Sequence, residues 1–202
     1  IDRQHTWSTD IRFFGITNAY AANDISSSGT SIKAAWQTTS LDDGNTAITM
    51  PFSFTFFGTA STNLRVCTNG WMSPTDTATT YTTPGSLPAG TTPNNFIAPY
   101  FADLDFQTTY NPSANAYYGT LGVAPNRKFI VQYVGAPHHN GGTPISTPNI
   151  SFEVIFYESD FSIEFHYNVT GSFTVVGGIG LENAAGTAGF AAPGGWTQTV
   201  TS

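Results

Sequence analysis

The fold class follows from the stretch LRVCTNGWMS, residues 64–73. Apolar and polar residues alternate along residues 64–67, and the chain then turns at Asn69-Gly70 before an apolar pair resumes. An Asn-Gly pair between two such runs is the strongest short-range signal for a β-hairpin, because both central residues of a type I′ turn need a positive φ. The stretch therefore predicts a strand, a type I′ turn and a second strand.

The same stretch holds the only cysteine, Cys67, which raises the alternative of a thiol nucleophile. A reactive thiol needs a neighbouring base and an electropositive setting. The four histidines are all distant in sequence, and no signature connects them with Cys67: they are His5, His138, His139 and His166. We interpret Cys67 as a small strand residue, and a single cysteine cannot form an internal disulfide.

Period-two alternation, the pattern of half-buried strands, recurs along most of the chain. Residues 152–157 and 161–167 alternate on either side of the polar break Glu158-Ser159-Asp160, which predicts a second hairpin. Further strands are predicted within residues 48–58, 94–106, 127–135 and 172–183. Pro99 predicts a break, a bulge or an edge position, and the glycines within residues 177–180 predict a bulge or a close backbone approach.

These patterns predict an all-β fold: an antiparallel, jelly-roll-like β-sandwich of about ten to thirteen strands with little or no helix. Residues 29–202 form a single sandwich domain in this interpretation, with loops at residues 74–93 and 135–148. Residues 1–28 are less regular. We expect an N-terminal arm or an extra strand there that contacts a neighbouring subunit.

The chain carries few charges, because only 9% of its residues are charged, against roughly 25% in an average soluble domain. Its net charge is −7 with 6 Lys and Arg, so we exclude nucleic-acid binding and a polybasic membrane anchor. No run approaches the roughly 18 apolar residues of a membrane-spanning helix. Because the chain begins with Ile1, we expect a mature or excised product, and its sparse charge favours an extracellular or cell-surface location.

Six motifs follow one another along the chain: MPFSFTFFG, LRVCTNGWMS, NNFIAPYFADLDF, YYGTLGVAPNRKFIVQY, ISFEVIFYESDFSIEFHY and VGGIGLENAAGTAG. Their order resembles a β-sandwich module of many secreted bacterial proteins that is similar in its second half to the nidogen-like domain. The resemblance covers residues 46–189. It implies an adhesive, matrix or accessory module, often placed beside peptidase or anchor domains, with no catalytic residue to carry over. The family usually has serine where Cys67 stands, which argues against an inherited thiol role.

Two acidic pairs are candidate ligands of a structural calcium ion. Asp103 and Asp105, at i and i+2, point to the same face of a strand, where two carboxylates repel unless calcium, an arginine or backbone donors compensate them. Asp42 and Asp43 open a turn with hard oxygen ligands that lacks the spaced set of an EF-hand loop. An acid–base pair is the alternative for Asp103 and Asp105, and we predict no other cofactor.

The remaining histidines and the tryptophans are candidate binding residues. His138 and His139 are adjacent, so they point to opposite sides of an extended chain and rarely chelate one ion; we interpret them as a solvated loop pair. His166 lies beside Glu164 on a polar face, and we expect it to face solvent or a neighbour. The tryptophans are candidates for a sugar-stacking platform, although aromatic residues of Phe-rich sandwiches are more often core: they are Trp7, Trp36, Trp71 and Trp196.

We therefore expect a non-catalytic, extracellular structural or adhesive protein that self-assembles into a filament or a surface layer. In this hypothesis the N-terminal arm adds a strand to the open sheet edge of a neighbour, and such a head-to-tail contact generates open fibres. Its partners are copies of itself, with surface glycans or matrix as further candidates. Two alternatives stay open: a carbohydrate-binding accessory module of a secreted enzyme, and a hydrolase.

Overall fold

A computed structural model describes residues 19–139, 149–168, 175–192 and 197–200. Two antiparallel sheets pack face to face across a shared hydrophobic core, and the only helices among these residues are two single turns. The predicted all-β sandwich with little helix is confirmed, and its strand number lies within the expected range.

Twelve strands and two helices follow one another along the described chain. The long strands alternate inward apolar side chains with outward Thr, Ser and Asn, as strands with one buried face do. In order, the elements are α1 (Ala19–Ala22), β1 (Thr30–Ser31), α2 (Lys33–Trp36), β2 (Asn45–Phe56), β3 (Thr59–Cys67), β4 (Met72–Ser73), β5 (Ile97–Phe101), β6 (Asn115–Leu121), β7 (Lys128–Ala136), β8 (Ile150–Tyr157), β9 (Ile163–Asn168), β10 (Val175–Glu182), β11 (Gly189–Ala191) and β12 (Thr197–Val200).

Each sheet is built around a four-stranded meander. Sheet A has the strand order β1-β6-β7-β8-β9, and sheet B has the order β11-β10-β5-β4-β3-β2, with β12 also paired to β10. Consecutive strands lie side by side from β6 to β9 and from β2 to β5. Within each sheet, the strands of this sandwich therefore follow one another mainly as a meander.

The stretch that decides the fold class forms the hairpin between β3 and β4, but its turn is not type I′. Thr68, Asn69 and Gly70 form a three-residue loop, in which the Gly70 N–H donates to Cys67 O over 3.3 Å and the Cys67 N–H donates to Trp71 O over 3.0 Å. Of the three loop residues only Gly70 has a positive φ, 73°, as in a type I turn followed by a bulge. The buried Asn69 side chain is hydrogen-bonded to other loops, and this anchoring sets a loop length that the Asn-Gly pair alone does not reveal.

Strand β5 contains the predicted irregularity at Pro99. Strand β10 pairs with β5 on both sides of this residue in shifted register, so that Pro99 and Tyr100 together face Ile179 in a β-bulge. The missing N–H of the proline therefore falls where the ladder is already interrupted. Gly177 provides the predicted close approach, because a Cβ atom there would lie 2.5 Å from the Tyr100 ring.

The main core lies between the two sheets and is rich in aromatic side chains. Phe52, Phe54 and Phe56 of β2 all point into it, as their period-two spacing predicts. Trp36 of α2 is fully buried there, and its indole N–H donates to Val66 O over 3.1 Å. The interpretation of this tryptophan as a core residue is confirmed.

The loop between β4 and β5 covers part of the outer face of sheet B. Ala78 and Leu87 of this loop pack against a second buried cluster around Trp71. The loop predicted at residues 74–93 is therefore confirmed, and it acts as an ordered cover. Of the second predicted loop, residues 135–148, the first two residues belong to β7 and residues 140–148 lie outside the described chain.

Residues 19–29, which we call the N-terminal cover, lie on the outer face of sheet A. Ile25 is 1% exposed and packs on Ile130 of β7 and Ile155 of β8. The part of the predicted arm before residue 19 lies outside the described residues. Its remaining residues do not extend away from the sandwich but pack onto their own sheet.

Candidate functional site

One candidate site lies where three separate parts of the chain meet. Asp42 precedes β2, Asp105 follows β5 and His139 follows β7. The His139 Nδ1 atom lies 3.4 Å from Asp105 Oδ2 and 3.8 Å from Asp42 Oδ1, and the three ligand atoms all lie within 4.8 Å of one another. We call these residues the Asp–Asp–His cluster.

Main-chain hydrogen bonds fix this meeting point. The Phe106 N–H donates to Leu41 O over 2.8 Å, which brings the chain after β5 to the turn that carries Asp42. The His139 N–H donates to Asp103 O over 2.9 Å, which holds the chain after β7 on the other side. The backbone therefore places the three side chains together, independently of any attraction among them.

The structure brings together one member of each predicted acidic pair. Asp42 and Asp105 belong to the cluster, whereas Asp43 accepts a hydrogen bond of 2.8 Å from Asn69 Nδ2 and Asp103 influences the cluster through its charge. Neither neighbouring pair therefore forms a site by itself. His139 was predicted to be a solvated loop residue; its approach to Asp105 depends on a contact between residues 34 positions apart, which no local spacing reveals.

The carboxylates of this region are close together, and Asp42 and Asp103 are partly buried. Burial, reinforced by the neighbouring carboxylates, raises the pKa of Asp42, and burial also raises the pKa of Asp103. Asp105 is fully buried, and its oxygens accept hydrogen bonds from Gln107, 2.8 Å from the N–H and 3.1 Å from Nε2. A cation bound here would favour the ionised form of each carboxylate.

The donor set decides which cation fits the cluster. Calcium is bound through oxygen atoms, whereas an imidazole nitrogen suits zinc and related transition metals. The 3.4 Å and 3.8 Å separations are close to the roughly 3.3 Å between ligands of a tetrahedral zinc ion with bonds of about 2.0 Å. The Tyr110 hydroxyl also lies 3.3 Å from His139 Nδ1. With an imidazole among the donors, the three residues fit a transition-metal ion better than they fit calcium.

The adjacent histidines point to different surroundings, but they are not the solvated pair that we predicted. His138 is only 9% exposed, and its Nε2 atom lies 2.8 Å from Tyr100 Oη. Burial lowers the pKa of His138 to about 4. An isolated bridge between Leu104 and His138 draws this histidine into the sandwich, so the solvated interpretation is wrong for a reason that loop composition cannot show.

A second candidate site is the open edge of sheet A at β9. This strand pairs with β8 without a register shift and with no other described strand. The hydrogen bond from the Tyr157 N–H to Ser162 O, 3.1 Å long, sets the alternation of the ladder. By that alternation the N–H and C=O groups of Ile163, Phe165 and Tyr167 point away from β8 and toward the open edge.

The side chains beside this edge form an apolar strip. Ile163, Phe165 and Tyr167 pack against the main core and yet stay only partly buried. Phe161, just before β9, is 45% exposed and has a φ of 58°, a strained conformation for a bulky residue. The predicted alternation is confirmed from Ile163 to Tyr167, whereas Phe161 lies in the turn before β9. The apolar half of this alternation ends at an edge that no other described strand pairs with.

His166 lies on the outer face of β9, between two carboxylates. Its Nδ1 atom is 2.9 Å from Glu153 Oε1 and its Nε2 atom is 3.2 Å from Glu164 Oε2. The His166 side chain is only 10% exposed. It does not face solvent, because the N-terminal cover lies on the outer face of sheet A and because Glu153 of the neighbouring strand β8 contacts the ring.

Cys67 and the tryptophans are not exposed for chemistry or stacking in the described part of the chain. Cys67 is fully buried, and burial raises the pKa of its thiol to about 12, so the interpretation as a strand residue is confirmed. Trp36 and Trp71 are both fully buried and present no face to a sugar. Trp7 and Trp196 lie outside the described residues.

The described helices are too short to cross a lipid bilayer. Comparison of the chain with curated proteins and with solved structures gave no match. A family model described as NIDO related matches residues 13–202, which extends the resemblance over residues 46–189 toward both ends. The chain therefore belongs to the NIDO-related, that is nidogen-related, family.

Proposed function

We propose that this protein is a non-catalytic, extracellular structural or adhesive protein that assembles with copies of itself by adding a strand to sheet A. The observation that carries the proposal is the edge at β9, which pairs with β8 and with no other strand of the described chain. An unpaired edge offers a row of N–H and C=O groups to a strand from another chain. Membership of the nidogen-related family supports the extracellular part of the proposal.

The other long edge, β2 of sheet B, has the features of a protected edge. Its pairing with β3 shifts register between Thr49 and Phe54, and Pro51 lies inside this shift. A bulge and a proline are two devices by which natural proteins block edge-to-edge pairing. Strand β9 contains neither, so strand addition is expected at β9 and not at β2.

The chain itself supplies a candidate donor strand. The sequence DIRFFGIT, residues 10–17, ends two residues before the start of α1, and α1 packs beside β9. Its apolar residues could pack against the apolar strip beside the edge of β9, which is the proposed acceptor. Because donor and acceptor are different surfaces, the contact is heterologous and generates an open filament.

Deletion of residues 1–18 tests the donor. This deletion preserves the N-terminal cover, whose Tyr20 Oη accepts a hydrogen bond of 2.8 Å from Gln132 Nε2. We expect a folded protein with unchanged thermal stability that stays monomeric in sedimentation velocity and forms no filaments in electron micrographs. Assembly equal to that of the intact chain would exclude these residues as the donor.

Two substitutions at one position test the acceptor. Phe165→Pro removes an N–H that points toward the open edge, whereas the matched control Phe165→Ala removes the same ring and keeps the N–H. We expect both proteins to fold, as judged by circular dichroism, and only the proline variant to lose assembly. Equal behaviour of the two variants would mean that main-chain pairing at β9 does not drive assembly.

The Asp–Asp–His cluster favours a second function, and we propose that it binds a divalent transition-metal ion as a structural cofactor. The supporting observation is the convergence of two carboxylates and one imidazole on one point. Zinc chloride should raise the thermal midpoint of the protein, because a ligand that binds only the folded state stabilises it. Calcium chloride should have little effect, since one of the three donors is a nitrogen.

Variants of the cluster separate this binding from non-specific effects. Asp105→Asn and His139→Gln should each abolish the stabilisation by zinc. Asp43→Asn is the matched control, because Asp43 contacts Asn69 and does not belong to the cluster. A calcium-specific stabilisation that survives His139→Gln would favour an oxygen-only site and contradict the proposal.

A further inference from the structure

The outer face of sheet A carries a row of buried polar side chains that strand addition does not use. Gln132 of β7, Glu153 of β8 and His166 of β9 are neighbours across the three strands. Gln132 and Glu153 are 0% exposed. Burying such a row is unfavourable unless its members are hydrogen-bonded. The hydrogen bonds that these side chains form therefore determine how firmly the N-terminal cover stays docked on the outer face of sheet A.

The N-terminal cover pairs with the row through Gln132 and also through the Asn23 side chain, which hydrogen-bonds to Glu153. The Ile25 N–H donates to Gln132 Oε1 over 3.0 Å. The Gln132 Nε2 group donates to Tyr20 Oη over 2.8 Å and to Asp24 Oδ1 over 2.9 Å. Docking of the cover therefore places the Asp24 carboxylate close to Glu153, the neighbour of Gln132 in the row.

Each ring nitrogen of His166 faces a different carboxylate. Ionised Glu153 and Glu164 can only accept hydrogen bonds. Tyr157 Oη already donates to Glu164 Oε2 over 2.7 Å. A neutral imidazole has one N–H and would leave one carboxylate facing a nitrogen lone pair, so the arrangement needs a proton held by the Glu153–His166 pair.

We propose that the N-terminal cover is a proton-controlled latch, closed on sheet A while the Glu153–His166 pair holds this proton and opened when the pair loses it. Four other titratable groups face the pair: Tyr20 and Asp24 from the cover, Tyr157 from β8 and Glu164 from β9. Strand β7 presents the neutral Gln132 beside Glu153. Its Lys128 lies farther along the strand, where Nζ is 5.3 Å from the centre of the Tyr157 ring. None of the described groups that face the pair brings a positive charge that could replace the imidazolium.

The direction of the pH dependence follows from the two pKa shifts. The hydrogen bond to Glu153 raises the pKa of His166, and burial raises the pKa of Glu153. The folded protein therefore holds the proton more tightly than the unfolded chain. The stabilisation is complete below the unfolded pKa values and is lost as the pH rises through the raised pKa of His166. Above that pH the buried carboxylate of Glu153 is left near that of Asp24 with no cation between them.

The effect of the latch on assembly rests on the function proposed above. Residues 1–18 are joined directly to the cover, so an opened latch lengthens the tether from which a donor strand reaches its acceptor. A longer tether allows the donor to reach the edge of a second copy. We therefore expect assembly to be faster at mildly alkaline than at mildly acidic pH.

Hydrogen exchange of the full chain, diluted until it is monomeric, tests the latch itself. Between about pH 6 and about pH 9, after correction for intrinsic exchange, protection of residues 20–28 should fall by at least about threefold, because the closed cover loses the stabilisation that the proton provides. Protection of β7 should stay constant. His166→Gln and Glu153→Gln should remove the pH dependence, whereas Asp160→Asn, which removes a carboxylate from an exposed turn, should retain it.

Each outcome decides the question. Constant protection of residues 20–28 in the wild-type protein would overturn the latch, as would an unchanged pH dependence in His166→Gln. If Glu153→Gln does not fold, His166→Gln alone decides. The assembly rate, followed by light scattering at both pH values, then separates the two proposals. If the latch opens but the protein does not assemble at either pH, the proposed function is refuted and the latch is not. If the protein assembles at a rate that changes neither with pH nor in His166→Gln, the regulation is refuted and the proposed function is not.

Discussion

At the scale of single residues, the hairpin between β3 and β4 depends on one glycine. Gly70 combines a φ of 73° with a close approach, since a Cβ atom there would lie 1.9 Å from Tyr100 O. Gly58, in the turn between β2 and β3, has a φ of 80° but no atom within 4 Å of the same position. Replacement of Gly58 therefore measures the cost of a left-handed backbone alone. Replacement of Gly70 adds the cost of a steric clash.

We expect Gly58→Ala to lower the free energy of unfolding by about 1 kcal/mol, the cost of placing alanine in a left-handed conformation. Gly70→Ala should lower it by at least about 3 kcal/mol, because the backbone of β5 must also move. Urea denaturation of both variants measures the difference. Equal losses would show that the contact with Tyr100 is relieved without disturbing the fold.

His138 should make the whole protein sensitive to acid. Its pKa is about 4 in the folded protein and about 6.5 in the unfolded chain, so its contribution is complete above the unfolded value and is lost as the pH falls toward the folded value. The loss should reach at most about 3 kcal/mol. His138→Gln can still hydrogen-bond to Tyr100 Oη but does not titrate, so its stability should fall less between about pH 7 and about pH 4. Parallel curves for the two proteins would contradict this assignment.

At the scale of elements, the loop between β4 and β5 is ordered by carboxylates that cap its backbone. The two oxygens of Asp76 accept hydrogen bonds of 2.8 Å from the N–H groups of Ala78 and Asn94, which lie near opposite ends of the loop. Glu182 of β10 accepts a further bond of 2.5 Å from the Ala89 N–H. The loop can therefore stay closed over the aromatic cluster of sheet B without secondary structure of its own.

Asp76→Ala should open this loop without unfolding the sandwich. Loss of two hydrogen bonds to a charged acceptor should lower stability by about 2 kcal/mol and speed hydrogen exchange across residues 77–95. Asp160→Ala is the control, because Asp160 also caps a turn but is exposed. Unchanged exchange in Asp76→Ala would mean that packing of the loop, and not its capping, keeps it closed.

The elements that the sequence predicts are those whose signals are local. The hairpin around residues 158–160 follows from period-two alternation alone, and the bulge at Pro99 follows from a missing N–H. The N-terminal cover and the Asp–Asp–His cluster depend on contacts between distant parts of the chain, such as the hydrogen bond from Ile25 to Gln132 across 107 residues. No spacing within a strand or turn encodes such contacts. The N-terminal cover and the Asp–Asp–His cluster therefore become visible only in the folded molecule.

At the scale of the whole molecule, charge opposes the assembly that the open edge favours. Every copy carries a net charge of −7, so two copies repel each other at low ionic strength. Strand addition joins them through main-chain hydrogen bonds and apolar contacts, and neither depends on opposite charges meeting across the interface. Salt should therefore weaken the repulsion and leave the attraction intact.

We expect added sodium chloride to accelerate filament growth up to the concentration at which the repulsion is screened, where the Debye length falls to about 8 Å. Light scattering at constant pH measures the rate, and the Phe165→Pro variant supplies the background, since it lacks the edge N–H at every salt concentration. An assembly held by ion pairs would behave in the opposite way and dissolve as salt is added. Slower growth in salt would therefore argue that charged side chains, and not the backbone of β9, join one copy to the next.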